Sequence, residues 1–472
     1  MKKRNIIAIS LLLLSPFAGN LSAKVILPSI FSDGMVLQQK SHPLIWGKAE
    51  PEAKVTIITS WDKKEYTLQS TADGTWKTKI NTPVAGGPYS ISINDGTNLV
   101  LSDILIGEVW LASGQSNMEM PLKGFKDQPV LNADEIIAQS NNPKIRLFQV
   151  KKISWAMPLD DCSGQWKDAS PASVTTFSAV AYGYAKMLQE KLKVPIGIIQ
   201  AAWGGTRIEA WMTANSLESF PDVWIPPVEN RVLASKNTPS GLYNGMISPL
   251  VGYGMKGMIW YQGETNRKNW YEYAKLLPAM VREWRSVWGI GDWDFYYVQI
   301  APFDKPTDKS YAFFPLVREA QSKALKDIPN SGMAVLTDIG AKNTVHPADK
   351  ESVSKRLSYL ALAKSYGFKD VKWSGPVYRN MEINEDKAIL SFDFAEDLYF
   401  KNQESVNFEI AGNNKVFYPA VAQIKGSKIE VSSSNVKKPV AVRYAFKAWV
   451  EGDLYNADGL PASSFRTDDW EF

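Results

Sequence analysis

The chain has 472 residues, 45% of them apolar, with 53 basic and 49 acidic side chains and one cysteine. A lone Cys162 excludes an intramolecular disulfide, so stability must come from apolar burial, and the length suits about two or three domains. Lys2, Lys3 and Arg4 account for three of the basic residues; the remainder carries 50 minus 49, a formal charge of +1, which excludes the electrostatic footprint of a nucleic-acid binder or a polybasic membrane tether.

In chain order, the first element is an export signal over residues 1–23. The three basic residues precede an apolar run from Ile6 to Leu14, and small residues follow to Ser22-Ala23. The run is too short to span a bilayer, and no later stretch reaches the roughly 20 apolar residues that spanning requires. No cysteine stands near the cleavage site to take a lipid. The mature protein is therefore expected in the periplasm or secreted, with no membrane partner.

Residues 24–103 read as an N-terminal β module: the short runs Val55 to Ile58, Tyr66 to Gln69 and Tyr89 to Ile93 are separated by turns at Asp73-Gly74 and Asp95-Gly96. Residues 104–368 read as an α/β domain with a mostly parallel sheet. Its predicted strands are Ile104 to Ala112, Ile145 to Val150, Ile196 to Ala201, Met255 to Tyr261, Phe295 to Ile300 and Met333 to Leu336. Helices are predicted over Ala179 to Lys191 and Tyr271 to Trp288. Residues 369–472 return to short strands, among them Ala388 to Phe392, Val406 to Ile410, Ala420 to Ile424 and Ala441 to Tyr444, and form a C-terminal β module. No repeat and no low-complexity linker separates the three, so they are expected to pack on one another.

Histidine is the side chain whose ordinary pKa supplies a base near neutral pH, and the chain has two. His42, before Pro43 in the first β module, suits a surface or packing role. His346 follows the last predicted strand, at the carboxyl edge of the sheet, where open α/β sheets place their ligands. The same scarcity leaves too few N and S ligands for zinc; an all-oxygen calcium site stays open without support, and no metal or cofactor is assigned.

Three polar loops end strands at that edge. Ile104 to Ala112 runs into Ser113-Gly114-Gln115-Ser116-Asn117-Met118, a turn that can project the Ser116 hydroxyl and offer its own N–H to a substrate oxygen. Met118 replaces the second glycine of a G-x-S-x-G elbow, which speaks against the common α/β-hydrolase layout. Ile196 to Ala201 leads into Trp203-Gly204-Gly205-Thr206-Arg207, where paired glycines bring backbone close to a ligand. Met255 to Tyr261 leads into Gln262-Gly263-Glu264-Thr265-Asn266. Gly252-Tyr253-Gly254-Met255-Lys256-Gly257 matches a dinucleotide fingerprint but precedes its strand, so it is set aside. Trp203 or Trp211 can stack on a sugar, although core packing is the default for tryptophan. Arg207 can grip a substrate carboxylate or pair with Glu209.

Gly114-Gln115-Ser116-Asn117-Met118-Glu119-Met120, Gly204-Gly205-Thr206 with Glu209-Ala210-Trp211, Trp260-Tyr261-Gln262-Gly263-Glu264, and His346-Pro347 with Asp349-Lys350 together resemble the sialate O-acetylesterase family of SGNH-type hydrolases. The opening Leu27-Pro28 through Phe31-Ser32-Asp33-Gly34-Met35-Val36-Leu37-Gln38 and the closing Gly459-Leu460-Pro461-Ala462 through Phe465-Arg466-Thr467-Asp468 extend the resemblance over nearly the whole mature chain. It implies a flavodoxin-like core between the two β modules, and an acetylated carbohydrate as partner. It also implies a two-step reaction in which Ser116 attacks an acetyl carbonyl, His346 carries the proton, and the N–H groups of Ser116 and Gly205 with the Gln262 side chain hold the oxyanion. Asn117, Arg207 and Trp203 are the substrate-binding candidates.

Many SGNH enzymes place the acid three residues before the histidine, where this chain has Asn343. Glu264 is the preferred substitute and Asp338 the next. O-acetylated sialic acid is the leading substrate, acetylated xylan or another neutral glycan the alternative. A noncatalytic carbohydrate-binding protein is the reading of another class, and the intact Ser116 and His346 speak against it.

Overall fold

A computed structural model describes residues 25–227 and 235–471; the export signal assigned to 1–23 lies outside them. The architecture is mixed α/β, with a central mixed sheet and additional antiparallel sheets. The central strands are β1 (Asn98–Gly114), β2 (Asn142–Gln149), β3 (Trp166–Ala169), β4 (Ile196–Ala202), β5 (Gly257–Tyr261), β6 (Asp294–Val298) and β7 (Ser331–Ala334). They lie in the order β7-β6-β5-β1-β4-β2-β3. All pairs are parallel except the β2–β3 edge.

The strand expected to begin at Ile104 begins at Asn98 and runs through the change of texture. Its first half pairs with Gly86–Asn94 and, in parallel, with Val36–Gln38, while its second half enters the central sheet. Burial changes along it: residues 98–103 are mostly exposed or half-buried, whereas Ile104 to Gly114 are buried throughout. That is the difference between a sheet with one wet face and a sheet covered on both.

Helices α1 (Ala179–Leu192), α2 (Trp270–Trp288), α3 (Phe314–Ala324) and α4 (Lys350–Leu360) cover the two faces. Alternation sorts the sheet residues between them. Trp110, Ala112, Ile198, Ile259 and Tyr296 pack with α1 and α4, and Val109, Leu111, Ile199, Met258, Phe295 and Tyr297 pack with α2 and α3. The Ser178 side chain caps α1 by accepting from Ala181 N–H (3.0 Å), and the Asp349 carboxylate caps α4 by accepting from Ser352 N–H (2.9 Å).

The later strands build two four-stranded antiparallel sheets that share a core of Leu390, Phe408, Ile410, Ile429 and Val442. Fully buried Arg318 of α3 joins this part to the central domain, donating to Ser464 Oγ (3.0 Å) and to the Lys447 carbonyl. Arg466 answers from the other side with a fork onto the Glu319 carboxylate (3.1 and 3.0 Å).

Candidate active site

Strand β1 ends at Gly114, whose φ of +139° favours glycine and where a Cβ would stand 2.2 Å from the Tyr261 carbonyl oxygen. Glycine thus lets the ends of β1 and β5 close on each other, and Gln115 N–H donates to Tyr261 O at 2.9 Å. The Gln115 side-chain oxygen then accepts from the N–H groups of Gly263 and Thr265. Ser116 opens the one-turn helix Ser116–Glu119, anchored by buried Met118 and Met120.

His346 Nε2 lies 2.7 Å from Ser116 Oγ, across 230 positions of chain. Its other nitrogen, Nδ1, is 2.6 Å from Gln128 Oε1, an oxygen that also accepts from Thr344 Oγ at 2.7 Å. An amide oxygen only accepts, so Nδ1 carries the proton and the Nε2 lone pair faces the serine. The Phe125 ring closes edge-on against the imidazole at 5.3 Å. Burial, and then the nearby Lys350 ammonium, lower the His346 pKa to about 4.

Both expected triad acids stand elsewhere. Asp338 is forked onto Arg356 (2.7 and 2.7 Å) and accepts from Tyr455 OH, so its charge is already balanced away from the imidazole. Glu264 accepts from Asn117 Nδ2 at 2.6 Å, not from His346. Asn343 is exposed. The position of the third member is taken by a neutral amide, Gln128.

Asn117 is not a substrate contact either: it is fully buried and every polar atom of its side chain is engaged. Its Nδ2 donates to Glu264 Oε1 and to the Val345 carbonyl (3.0 Å), and its Oδ1 accepts from Lys350 Nζ (2.5 Å). One amide therefore ties the serine turn to the β5 loop, the histidine loop and helix α4. Burial pushes the Glu264 carboxyl up and the Lys350 ammonium down to about 7, each opposed by the other's charge.

Gln262 cannot serve as the expected oxyanion donor, because both its N–H bonds are spent on the Thr206 carbonyl (3.1 Å) and Asn266 Oδ1 (2.7 Å), while its oxygen accepts from Tyr273 OH. It braces the Gly205–Thr206 loop from beneath. The backbone N–H groups of Ser116 and Gly205 make no hydrogen bond among the described residues. Gly205 has φ +72°, and a Cβ at Gly204 would stand 3.1 Å from Ser116 Cβ, so this loop lies against the serine.

Trp203 is half-buried against the core, and Trp211 is fully buried with its N–H on Thr206 Oγ (3.0 Å), so Trp211 offers no stacking face. Arg207 is exposed. The Arg207–Glu209 pair does not form: Glu209 is buried and accepts from Asn266 Nδ2 (2.9 Å). His42 is exposed and bonds Asn81 Oδ1 at 2.7 Å, as a surface histidine would. Sequence reasoning passed over Gln128, which lies in a short loop that ends no strand and is brought to His346 only by the fold.

Fold and site together define a carboxylic ester hydrolase. The chain belongs to the carbohydrate esterases described as sialic acid-specific acetylesterases, a family matched over residues 106–359, more than half of its length. It is 28% identical to the sialate O-acetylesterase of Homo sapiens over 486 residues, which cover 93% of this chain and 91% of that protein. The Mus musculus sialate O-acetylesterase is also 28% identical, with 89% of each chain covered. A crystal structure of a carbohydrate acetylesterase from Xanthomonas citri superposes with a TM-score of 0.87 at 38% identity, covering 95% of this chain and all of the other.

Proposed function

We propose that this chain removes O-acetyl groups from sialic acid through an acetyl-enzyme, on a flavodoxin-like SGNH core flanked by the β modules 24–103 and 369–472. The Ser116–His346 contact of 2.7 Å carries the reading. Leaving aside β2 and the antiparallel edge strand β3, the remaining parallel strands numbered along the chain fall in the order 2-1-3-4-5, which supports the flavodoxin-like core. The export signal supports action outside the cytoplasm.

In the first step Ser116 Oγ bonds to the acetyl carbon while its proton passes to His346 Nε2 and the carbonyl electron pair moves onto oxygen. The N–H groups of Ser116 and Gly205, which make no hydrogen bond among the described residues, are the donors for that oxyanion in this reading. Collapse expels the sugar oxygen, which takes the proton back from His346. Water, deprotonated by the same nitrogen, then attacks the acetyl carbon, and acetate is released as Ser116 Oγ leaves and takes that proton back from His346. Gln128 orients the imidazole without balancing its charge, so the imidazolium is left less stabilised than beside a carboxylate.

The alternative is a neutral glycan, acetylated xylan for example. Acetate release from O-acetylated sialic acid and from acetylxylan, with Ser116→Ala as control, separates the two. Faster turnover of acetylxylan would overturn the sialate assignment, and no acetate from either would overturn the esterase.

A base held down to about 4 stays unprotonated well below neutrality. Protonation destroys the base, so kcat/KM is expected to hold level from neutral pH down to about pH 5 and to fall only below it. An acid limb in the ordinary histidine range would contradict this. Gln128→Glu puts an opposite charge on Nδ1–H and should move the limb up by about one to three units. Gln128→Ala should lower kcat about 10- to 100-fold by freeing the ring to rotate, measured on the same substrate.

A further inference from the structure

We infer that Lys236 is a positioning residue for the oxyanion donor, its ammonium fixing the Gly204 carbonyl so that the N–H of the same peptide, on Gly205, is held toward the reacting oxygen. This rests on the serine-esterase reading above. Lys236 Nζ donates to Gly204 O at 2.6 Å, a charge-assisted distance. Among the described residues Lys236 has no carboxylate partner, so this carbonyl is what the ammonium is spent on. Glu119 of the serine turn, the carboxylate that meets this loop, is taken: it accepts from Gly204 N–H and pairs with Lys152.

The neighbouring residue acts on the next peptide. Asn237 Nδ2 donates to Gly205 O (3.0 Å), and its Oδ1 accepts from Arg207 N–H (2.8 Å). The loop is thus held at Gly204 N–H, Gly204 C=O, Gly205 C=O and Arg207 N–H, while the Gly205 N–H between them has no acceptor among the described residues. Glycine at φ +72° leaves that peptide free to rotate unless it is clamped, and a Cβ at Gly205 would stand 2.8 Å from Lys236 Nζ. The clamp also has an electronic effect. A cation bonded to an amide oxygen draws charge from the nitrogen and makes the N–H a stronger donor.

Removing a whole oxyanion donor costs on the order of 100- to 1,000-fold; loosening one should cost about 10-fold. Lys236→Met is therefore expected to lower kcat on neutral 4-nitrophenyl acetate by about 10-fold with KM unchanged, and Lys236→Arg, which keeps a charged donor, to recover most of it. The thermal unfolding midpoint, read alongside, should stay at the wild-type value for both variants. Wild-type kcat in Lys236→Met, a loss seen only with a carboxylate-bearing sugar, or a Lys236→Arg variant as impaired as Lys236→Met each overturns the inference. The carboxylate-only loss would mean that Lys236 binds substrate directly. Retained activity in Ser116→Ala would instead sink the underlying esterase reading, so the two failures are distinguishable.

Discussion

Ser116→Ala is expected to lower kcat on an acetylated sugar by about ten-thousand- to a million-fold, with the fold unchanged. In the proposed mechanism the hydroxyl forms the acyl bond, and its absence leaves only binding and the proposed N–H donors of Ser116 and Gly205 to act on a water molecule. His346→Ala should fall into the same range, because an unassisted hydroxyl is a weak nucleophile. The double variant should be no worse than either single one, since the two groups act as a unit bridged by one 2.7 Å contact. Acetate release under saturating substrate checks all three. A Ser116→Ala enzyme retaining more than about one hundredth of wild-type turnover, or losses that multiply in the double variant, would show that the pair is not the catalytic unit.

Asn117→Ala should be the most damaging change that leaves the reacting atoms in place. It deletes the bridge between Glu264 and Lys350 and the bond to the Val345 carbonyl, all in the interior. Stranding a buried charged pair costs about 3 to 5 kcal/mol. With the serine turn and the histidine loop no longer tied, a displacement of the order of 1 Å should lower kcat about 100-fold. The urea midpoint and kcat should therefore fall together. A wild-type midpoint combined with wild-type kcat would show that the network is idle.

The contrast between the two predictions follows what was legible in the sequence. His346 could be picked out because it is the one histidine of the α/β region, and Ser116 because it stands on a glycine-containing turn just past an apolar strand and within a motif of the family. Asn117 carried no such mark: its position in the serine motif suggested a substrate contact, and only burial showed it to be an internal tie. Gln128 was missed altogether, since a glutamine in a loop has no periodicity or spacing to betray it. The long strand across residues 98–114 was half seen, because its exposed first half reads as module and its buried second half as core.

By itself, the sequence determined the alternation of strands and helices, the edge where the polar loops gather, and the one imidazole available there. Those properties follow from the periodicity of apolar burial and from residue counts, and both are local. The tertiary structure alone decided that Nδ1 meets an amide instead of Glu264 or Asp338, that Gln262 braces a loop instead of holding an oxyanion, and that Lys236 reaches the Gly204 carbonyl. Each of these is a hydrogen bond made or lost within about 1 Å, between side chains whose separation is set by the packing of segments far apart in the chain.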